Sequence, residues 1–141
     1  MSLPLVKLID VAKIITGSTP SKNKIEYYGS EIPFITPREL TDSEIKEPKV
    51  YLSKSGAKVA RVLPIESVLV CCIGSLGKVG FTRTEVATNQ QINSLIFNKN
   101  EVLPRYGYYC CKRLKPILNN IAPATTVAIV NKSKFSELKI P

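Results

Sequence analysis

The sequence predicts a single α+β domain with a curved, mainly antiparallel sheet flanked by helices. Short runs of apolar and β-branched residues are mixed with segments of helical periodicity, without a steady strand–helix–strand rhythm. Apolar residues make up 44% of the chain and are spread along it, so a packed core is expected and disorder is not. The length of 141 residues suits one domain.

The first thirty residues predict one regular segment followed by polar loops. Apolar spacing over Leu5–Ile15 indicates a short helix, or a helix that leads into a strand. The Gly and Pro residues of Gly17–Ser21 end this segment. Ser21–Ser30 is polar and basic, and we expect it to form an exposed loop.

The next segments predict a strand and two helix starts. Ile32–Ile35 is a short apolar run that contains a proline, which is typical of an edge strand. Thr36 is expected to cap a helix that has Pro37 in its first position and Glu39 in its third. Ser53–Val62 is a second helix candidate with modest apolar spacing.

The middle of the chain predicts the centre of the sheet. Ser67–Ile73 is dense in apolar and β-branched residues, and Val79–Thr82 is its hairpin partner across the turn Gly74–Lys78. Asn93–Asn98 is a further strand, with Leu95 and Phe97 on one face and Ile96 on the other.

The last third predicts two helices. Apolar residues recur at helical spacing over Pro104–Leu118, and Pro116 is expected to kink or end this helix. Asn131 is a suitable N-cap for a short helix over Lys132–Leu138.

The composition excludes several kinds of chemistry. The chain has no histidine, so a Ser-His or Cys-His nucleophile and a histidine metal ligand or base are absent. The four cysteines form two adjacent pairs, Cys71-Cys72 and Cys110-Cys111, without the spacer usual in zinc sites. We interpret them as small buried apolar residues of a reducing compartment. We therefore predict no bound metal and no cofactor.

Phosphate-binding loops and transmembrane segments are also not predicted. Gly77-Lys78 is followed by valine instead of Ser or Thr, which rules out a P-loop, and no Gly-x-Gly-x-x-Gly opens a helix. The longest apolar stretch is too short to cross a bilayer, and the N-terminus does not resemble a signal peptide. We expect a cytoplasmic protein.

The net charge indicates a polyanionic partner. Twenty Lys and Arg residues against eleven Asp and Glu give +9, a positive field that suits nucleic acid. A basic surface without a dedicated partner is the alternative. The loop Ser21–Ser30 contains lysines, an asparagine and two tyrosines, a composition suited to DNA contacts, although a solvated loop would have a similar one.

Four segments, in order, resemble the target recognition domains of specificity subunits in type I restriction-modification systems. They are Ile15–Ser21 with the following Tyr27-Tyr28-Gly29 and Ile32–Ile35, then Gly74–Val79, Thr88–Asn93 with its Asn-Gln-Gln, and Val130–Pro141. The matching positions that we regard as a structural signature are Gly17, Pro20, Gly74, Gly77, Asn89, Gln90 and Gln91. We favour a structural role for the Asn-Gln-Gln amides, bonding buried backbone, over base reading.

The resemblance implies a non-catalytic module that reads half of a split double-stranded DNA target. In that family, two such domains are separated by long helices, and partner subunits methylate adenine and cleave DNA. We expect residues 1–141 to be one such half, without the spacer helix. The implied partners are methyltransferase subunits, the restriction motor subunit through them, and a second recognition domain in the same or a paired chain.

Residues that read different targets should differ between family members, so the predicted DNA contacts lie outside the shared motifs. They are Lys22, Lys24, Tyr27, Arg38, Lys78, Thr125 and Thr126. The alternatives are the recognition domain of another DNA methyltransferase, a half-size subunit that pairs with itself, a small nuclease and a protein-interaction module. Metal-dependent cutting of a plasmid would identify the nuclease, and binding without sequence selection would favour the interaction module.

Overall fold

The computed structural model describes residues 3–123 and 127–141. The strands within these ranges are Val6–Lys7 (β1), Ala12–Thr16 (β2), Tyr28–Ile35 (β3), Val50–Leu52 (β4), Val68–Cys71 (β5), Val79–Phe81 (β6), Ala87–Thr88 (β7), Ile92–Phe97 (β8) and Lys139–Ile140 (β9). The α helices are Leu8–Val11 (α1), Lys54–Val59 (α2), Pro104–Lys112 (α3), Lys115–Ile121 (α4) and Lys132–Ser136 (α5). Two 3₁₀ turns, Ile25–Tyr27 and Pro37–Glu39, precede and follow β3.

The strands form three sheets. A four-stranded antiparallel sheet has the order β2-β8-β5-β6, and a three-stranded sheet has the order β4-β3-β7. The pairing of β3 with β4 is antiparallel, that of β3 with β7 is parallel, and β1 pairs with β9. The predicted α+β class with mainly antiparallel pairing is confirmed. The division of the strands among three sheets was not predicted, because strand pairing depends on contacts between distant residues, which strand patterns do not specify.

The two central strands, β5 and β8, are buried on both faces. One face carries Val70 and Cys72 toward the largest apolar cluster, and the other carries Leu69 and Cys71 toward a second cluster. Helix α3 covers the first face by packing against β5 and β6. The four cysteines are free and buried, as predicted, and Cys71 and Cys72 belong to opposite faces. Burial raises the pKa of Cys72 to about 12.

The first helix-to-strand segment, the central hairpin and the capping box at Thr36 are confirmed, whereas the helix expected after Thr36 is only a 3₁₀ turn. Leu5–Ile15 contains α1 followed directly by β2, and β5 pairs with β6 across the turn Gly74–Lys78. The carboxylate of Glu39 accepts hydrogen bonds from the backbone and hydroxyl of Thr36, at 2.8 Å each. This capping box closes only one 3₁₀ turn, because the chain leaves it at Leu40 in an extended conformation.

Three predicted elements differ from the structure. The strand over Ile32–Ile35 is the middle strand β3 instead of an edge strand; Pro33 is tolerated because pairing with β7 covers only Phe34 and Ile35. The expected loop Ser21–Ser30 already contains a 3₁₀ turn and the start of β3. The predicted helix Pro104–Leu118 is divided into α3 and α4, with Pro116 in the first turn of α4.

The predicted N-cap of α5 is present, and the chain after α5 forms a strand that was not predicted. The side chain of Asn131 accepts a hydrogen bond from the backbone of Lys134 at 2.9 Å. Beyond the helix, β9 returns to pair with β1, a contact between the two ends of the chain that no local pattern indicates. None of the helices in the described ranges has the length and apolar character that crossing a membrane requires.

Candidate nucleic-acid interface

Several strand ends meet on one side of the domain. Thr16 at the end of β2 pairs with Asn93 at the start of β8, and Cys71 at the end of β5 pairs with Ile92. The end of β3 lies beside the end of β7. Because these ends adjoin, the loops that leave them are neighbours, although they are far apart in sequence. We call segments 17–20, 36–38, 74–78 and 89–91 the loop face.

Gly17 joins the first of these segments to the fourth. Its backbone N–H donates to the carbonyl of Ile92 at 3.1 Å, and that of Ser18 donates to the carbonyl of Thr88 at 3.0 Å. A Cβ atom on Gly17 would lie 2.1 Å from the carbonyl oxygen of Asn89. The two segments therefore meet at a distance that only glycine permits.

The Asn-Gln-Gln segment is held by its own side chains. The amide of Asn89 donates to the side-chain oxygen of Gln91 at 2.9 Å and accepts from the backbone of Gln91 at 3.1 Å. The amide of Gln91 also donates to the carbonyl of Ile73 at 3.2 Å. Gln90 is exposed and accepts a hydrogen bond from the hydroxyl of Thr19 at 2.7 Å. Two amides thus stabilise the segment, and the third faces solvent.

The turn of segment 74–78 depends on two glycines with left-handed backbones. Gly74 and Gly77 have φ values of +87° and +86°, which L side chains rarely adopt. Gly74 donates to the carbonyl of Ala128 at 2.8 Å, and Gly77 donates to that of Cys71 at 2.9 Å. A Cβ atom on Gly77 would lie 2.7 Å from the Cα of Lys115, so α4 packs directly against this turn.

A hydrogen bond from Lys78 joins segment 74–78 to segment 36–38, which contains Arg38. The ammonium of Lys78 donates to the carbonyl of Pro37 at 2.7 Å, and the following residue, Arg38, is exposed. The backbone of Asn89 donates to the carbonyl of Ile35 at 3.1 Å, which attaches the same turn to the Asn-Gln-Gln segment. Lys78 is half-buried, and its ammonium has two further N–H donors.

The loop with Lys22, Lys24 and Tyr27 is anchored to the loop face through Pro20. The hydroxyl of Tyr28 donates to the carbonyl of Pro20 at 2.6 Å. The ammonium of Lys24 lies 5.6 Å from the ring centroid of Tyr27, while Lys22 and Lys24 are both exposed. The loop therefore has a defined conformation in which its lysines face solvent.

Sequence reasoning did not identify four further residues beside these segments. Thr19 reaches Gln90, and Arg61 donates to the carbonyl of Thr16 at 2.6 Å. Lys54 and Lys58 are exposed on α2, which packs against the turn Ile25–Tyr27. The sequence carried a signal for the two lysines, because their spacing of four residues places both on one face of a helix. Thr19 and Arg61 gave none, because their neighbours are distant in sequence.

Within residues 3–123 and 127–141, no carboxylate neutralises the basic residues predicted as DNA contacts. Ion pairs in the described part of the chain involve Lys7, Arg83, Lys99 and Lys115. Across the same residues, no ion pair is formed by the predicted contacts Lys22, Lys24, Arg38 and Lys78. Their positive charge is available to a ligand. The predicted contacts Thr125 and Thr126 lie outside the described residues.

The described residues contain no group of three or more Cys, Asp or Glu side chains arranged to hold a metal ion. The polar side chains of the loop face are hydrogen-bond donors, acceptors and cations, which suit recognition of a polyanion with polar edges.

Comparison with known proteins relates the whole domain to one family. The family model of the type I restriction modification DNA specificity domain matches residues 4–141. The HindI specificity subunit of Haemophilus influenzae is 34% identical over 139 residues, which cover 94% of this chain and 30% of the relative. The MjaIX specificity subunit of Methanocaldococcus jannaschii is 28% identical over 146 residues, covering 96% of this chain and 33% of the relative.

A solved structure shows the same fold. The HsdS subunit of Thermoanaerobacter tengcongensis superposes with a TM-score of 0.77 at 19% identity, covering 100% of this chain and 34% of that one. The chain thus spans about a third of the length of the proteins it matches. With a family match over nearly its entire length, the chain belongs to the family of type I restriction-modification DNA specificity domains.

Proposed function

We propose that this domain binds double-stranded DNA and reads one half of a bipartite target through the loop face and the adjoining loop with Lys22 and Lys24. The observation that carries the proposal is the convergence of strand ends, which puts Arg38 and Lys78, cations without an ion pair among the described residues, on the same side of the molecule as polar side chains. Family membership supports it, because the matched relatives are named as specificity subunits of restriction enzymes.

The proposed DNA contacts are of two kinds, those that position the protein on the duplex and those that read its bases. Lys22, Lys24 and Lys78 suit phosphate oxygens, where ammonium groups fix the register of a protein on the duplex without reading sequence. Contrary to the structural role expected for the shared Asn-Gln-Gln amides, the amide of Gln90 is exposed and can pair with an adenine edge; the guanidinium of Arg38 can pair with guanine. Tyr27, Thr125 and Thr126 complete the set of proposed contacts.

The domain is proposed to be non-catalytic and to act within a larger cytoplasmic assembly. Its relatives are about three times longer, which leaves room for a second recognition domain in the same chain. Methyltransferase subunits, and through them a restriction motor subunit, would supply methylation and cleavage. In this arrangement residues 1–141 form one recognition half, and the second half comes from the same or a paired chain.

Selection from a random duplex library at two salt concentrations tests the function. We expect one short motif to be enriched at the higher salt, because base contacts lose less affinity than phosphate contacts when counterions compete. Binding that disappears with salt and enriches no sequence would contradict sequence reading. Cutting of a plasmid by the pure domain with Mg²⁺ would instead support a nuclease.

Single substitutions locate the interface. Lys22→Ala should weaken binding to all duplexes alike and lower the salt slope by roughly one unit for the lost phosphate contact. Lys139→Ala is the matched control, since Lys139 is exposed on the β1-β9 sheet, near the start of β2 and away from the loop face. Equal salt slopes for both variants and the unmodified domain would remove Lys22 from the interface.

A further inference from the structure

A groove separate from the loop face runs between α3, the end of β6 and segment 43–48. Its volume is about 560 Å³. Segment 43–48 is held beside β6 because Asp42 and Val79 exchange hydrogen bonds of 3.0 and 3.1 Å. The hydroxyl of Tyr108 on α3 donates to the carbonyl of Asp42 at 3.0 Å and closes one end. Both walls are thus fixed by hydrogen bonds.

The α3 wall combines aromatic rings with two cations. The guanidinium carbon of Arg105 lies 4.2 Å from the ring centroid of Phe81, and the ammonium of Lys112 lies 5.4 Å from that of Tyr108 and 5.8 Å from that of Tyr109. Tyr109 is 55% exposed. Tyr108, Tyr109 and Lys112 follow Arg105 on α3 by three, four and seven positions, so these four side chains form a continuous face.

Neither cation is neutralised within the described residues. The groove carboxylates have other partners that also line the groove: the carboxylate of Glu44 lies 3.8 Å from the guanidinium of Arg83, and that of Glu47 accepts from the hydroxyl of Tyr51 at 3.3 Å. Arg105 and Lys112 form no ion pair with any residue that the structure describes. A guanidinium stacked on a ring keeps its N–H edge free and oriented, which suits a carboxylate held by two hydrogen bonds.

The rest of the groove favours a protein segment over a nucleic acid. Ile35 and Val86 are buried and contribute an apolar floor, which phosphates would not occupy. The groove also opens at the Phe81 end of β6, whereas the turn of the loop face lies at the Val79 end.

We propose that this groove binds an acidic segment of a partner protein that also carries an apolar side chain. The carboxylates of the segment pair with Arg105 and Lys112, and its apolar residue packs on the floor between Tyr109 and segment 43–48. Such a contact leaves the loop face free, so one domain can hold DNA and a partner protein at the same time.

A titration of the ¹⁵N-labelled chain followed by amide chemical shifts tests the proposal. The probe is a capped hexapeptide with Leu-Phe at its centre and two Asp or Glu residues on each side. We expect saturable shifts in residues 43–48, 81–84 and 105–112. A peptide with Ser-Ser at its centre should bind at least about tenfold more weakly, because its central residues contribute no apolar burial.

Two substitutions in the groove and one control substitution test the proposed charge contacts. Arg105→Ala and Lys112→Ala should each raise the dissociation constant about tenfold, the loss expected for one charge-assisted hydrogen bond. Arg113→Ala, an exposed arginine at the end of the same helix and outside the groove, should change it less than about twofold. Amide dispersion away from the groove verifies that each variant is folded.

Three outcomes would overturn the proposal. These are an absence of shifts in the groove, equal binding of the Leu-Phe and Ser-Ser peptides, and shifts of the same amides by hexathymidylate at lower concentration than by the peptide. Duplex selection with Arg105→Ala separates this proposal from DNA reading, because the enriched motif should be unchanged whichever way the peptide titration ends.

Discussion

Gly17→Ala tests the junction that supports the loop face. In the structure, the position of an added Cβ lies 2.1 Å from the carbonyl oxygen of Asn89 and 2.1 Å from the hydroxyl of Thr88. Ordinary contact needs a further separation of roughly 1 Å or more. Segment 89–91 cannot retreat freely, since Asn89 also donates its backbone N–H to Ile35 and bonds the side chain of Gln91.

The expected loss of stability follows from the contacts at this junction. A shift of roughly 1 Å would break the hydrogen bonds from Gly17 to Ile92 and from Ser18 to Thr88, now 3.1 and 3.0 Å long. Two backbone hydrogen bonds contribute about 2 kcal/mol together, and overpacking adds about 1–3 kcal/mol. The lower entropy of the unfolded alanine chain offsets about 0.5 kcal/mol. We expect a net loss of about 3 kcal/mol, or about 10 °C in Tm.

Urea unfolding followed by far-UV circular dichroism measures this loss, with Gly74→Ala as the control. A Cβ on Gly74 would meet only Gln91, at 3.6 Å, so its cost is the left-handed backbone, about 1–2 kcal/mol. The reasoning is refuted if Gly17→Ala loses less than about 1 kcal/mol, or no more than Gly74→Ala does. In the expected case, the Gly17→Ala domain should also lose sequence selection on duplex DNA at temperatures where it remains folded.

Two further predictions concern Gln91 and the buried thiols. Gln91→Ala should destabilise the domain by about 2 kcal/mol, since it removes hydrogen bonds to Asn89 and Ile73. Gln90 is exposed, so Gln90→Ala should change the stability by less than about 0.5 kcal/mol and alter the selected DNA motif instead. Equal stability of the two variants would contradict this. Burial raises the pKa of Cys72 to about 12 and raises that of Cys111 as well, so the folded state keeps protons that unfolded thiols release near pH 8.5. The contribution of the two buried thiols to the free energy of unfolding should therefore be complete below about pH 8. Above pH 9 it should fall by about 1.4 kcal/mol per pH unit for each thiol. Cys111→Ala should reduce this slope, which urea titrations at several pH values measure.

The local elements were predictable because their causes lie within a few residues. The hairpin of β5 and β6 follows from a dense apolar run, a turn with two glycines and a second apolar run. The caps at Thr36 and Asn131 depend on a side chain three residues from its partner. The strand that contains Pro33 was wrongly predicted to be an edge strand. The position of a proline cannot show that the pairing with the parallel neighbour β7 starts at the next residue, Phe34.

The candidate site was predictable in composition but not in arrangement. The positive charge and the residues Lys22, Lys24, Arg38 and Lys78 could be chosen from the sequence, because cations and loops are visible in it. The hydrogen bond between Lys78 and Pro37 joins positions 41 residues apart, and the one between Thr19 and Gln90 joins positions 71 apart. Nothing local specifies either contact.

By itself, the sequence determined the class of fold, the buried cysteines, the absence of histidine chemistry and the family resemblance that the comparison confirmed. Only the tertiary structure decided that the strands divide among three sheets, that β9 returns to β1, and that four separated segments form one loop face. The same holds for the groove beside α3, whose walls come from distant parts of the chain. Periodicity and capping act over a few residues, whereas strand pairing and shared burial depend on which distant surfaces meet.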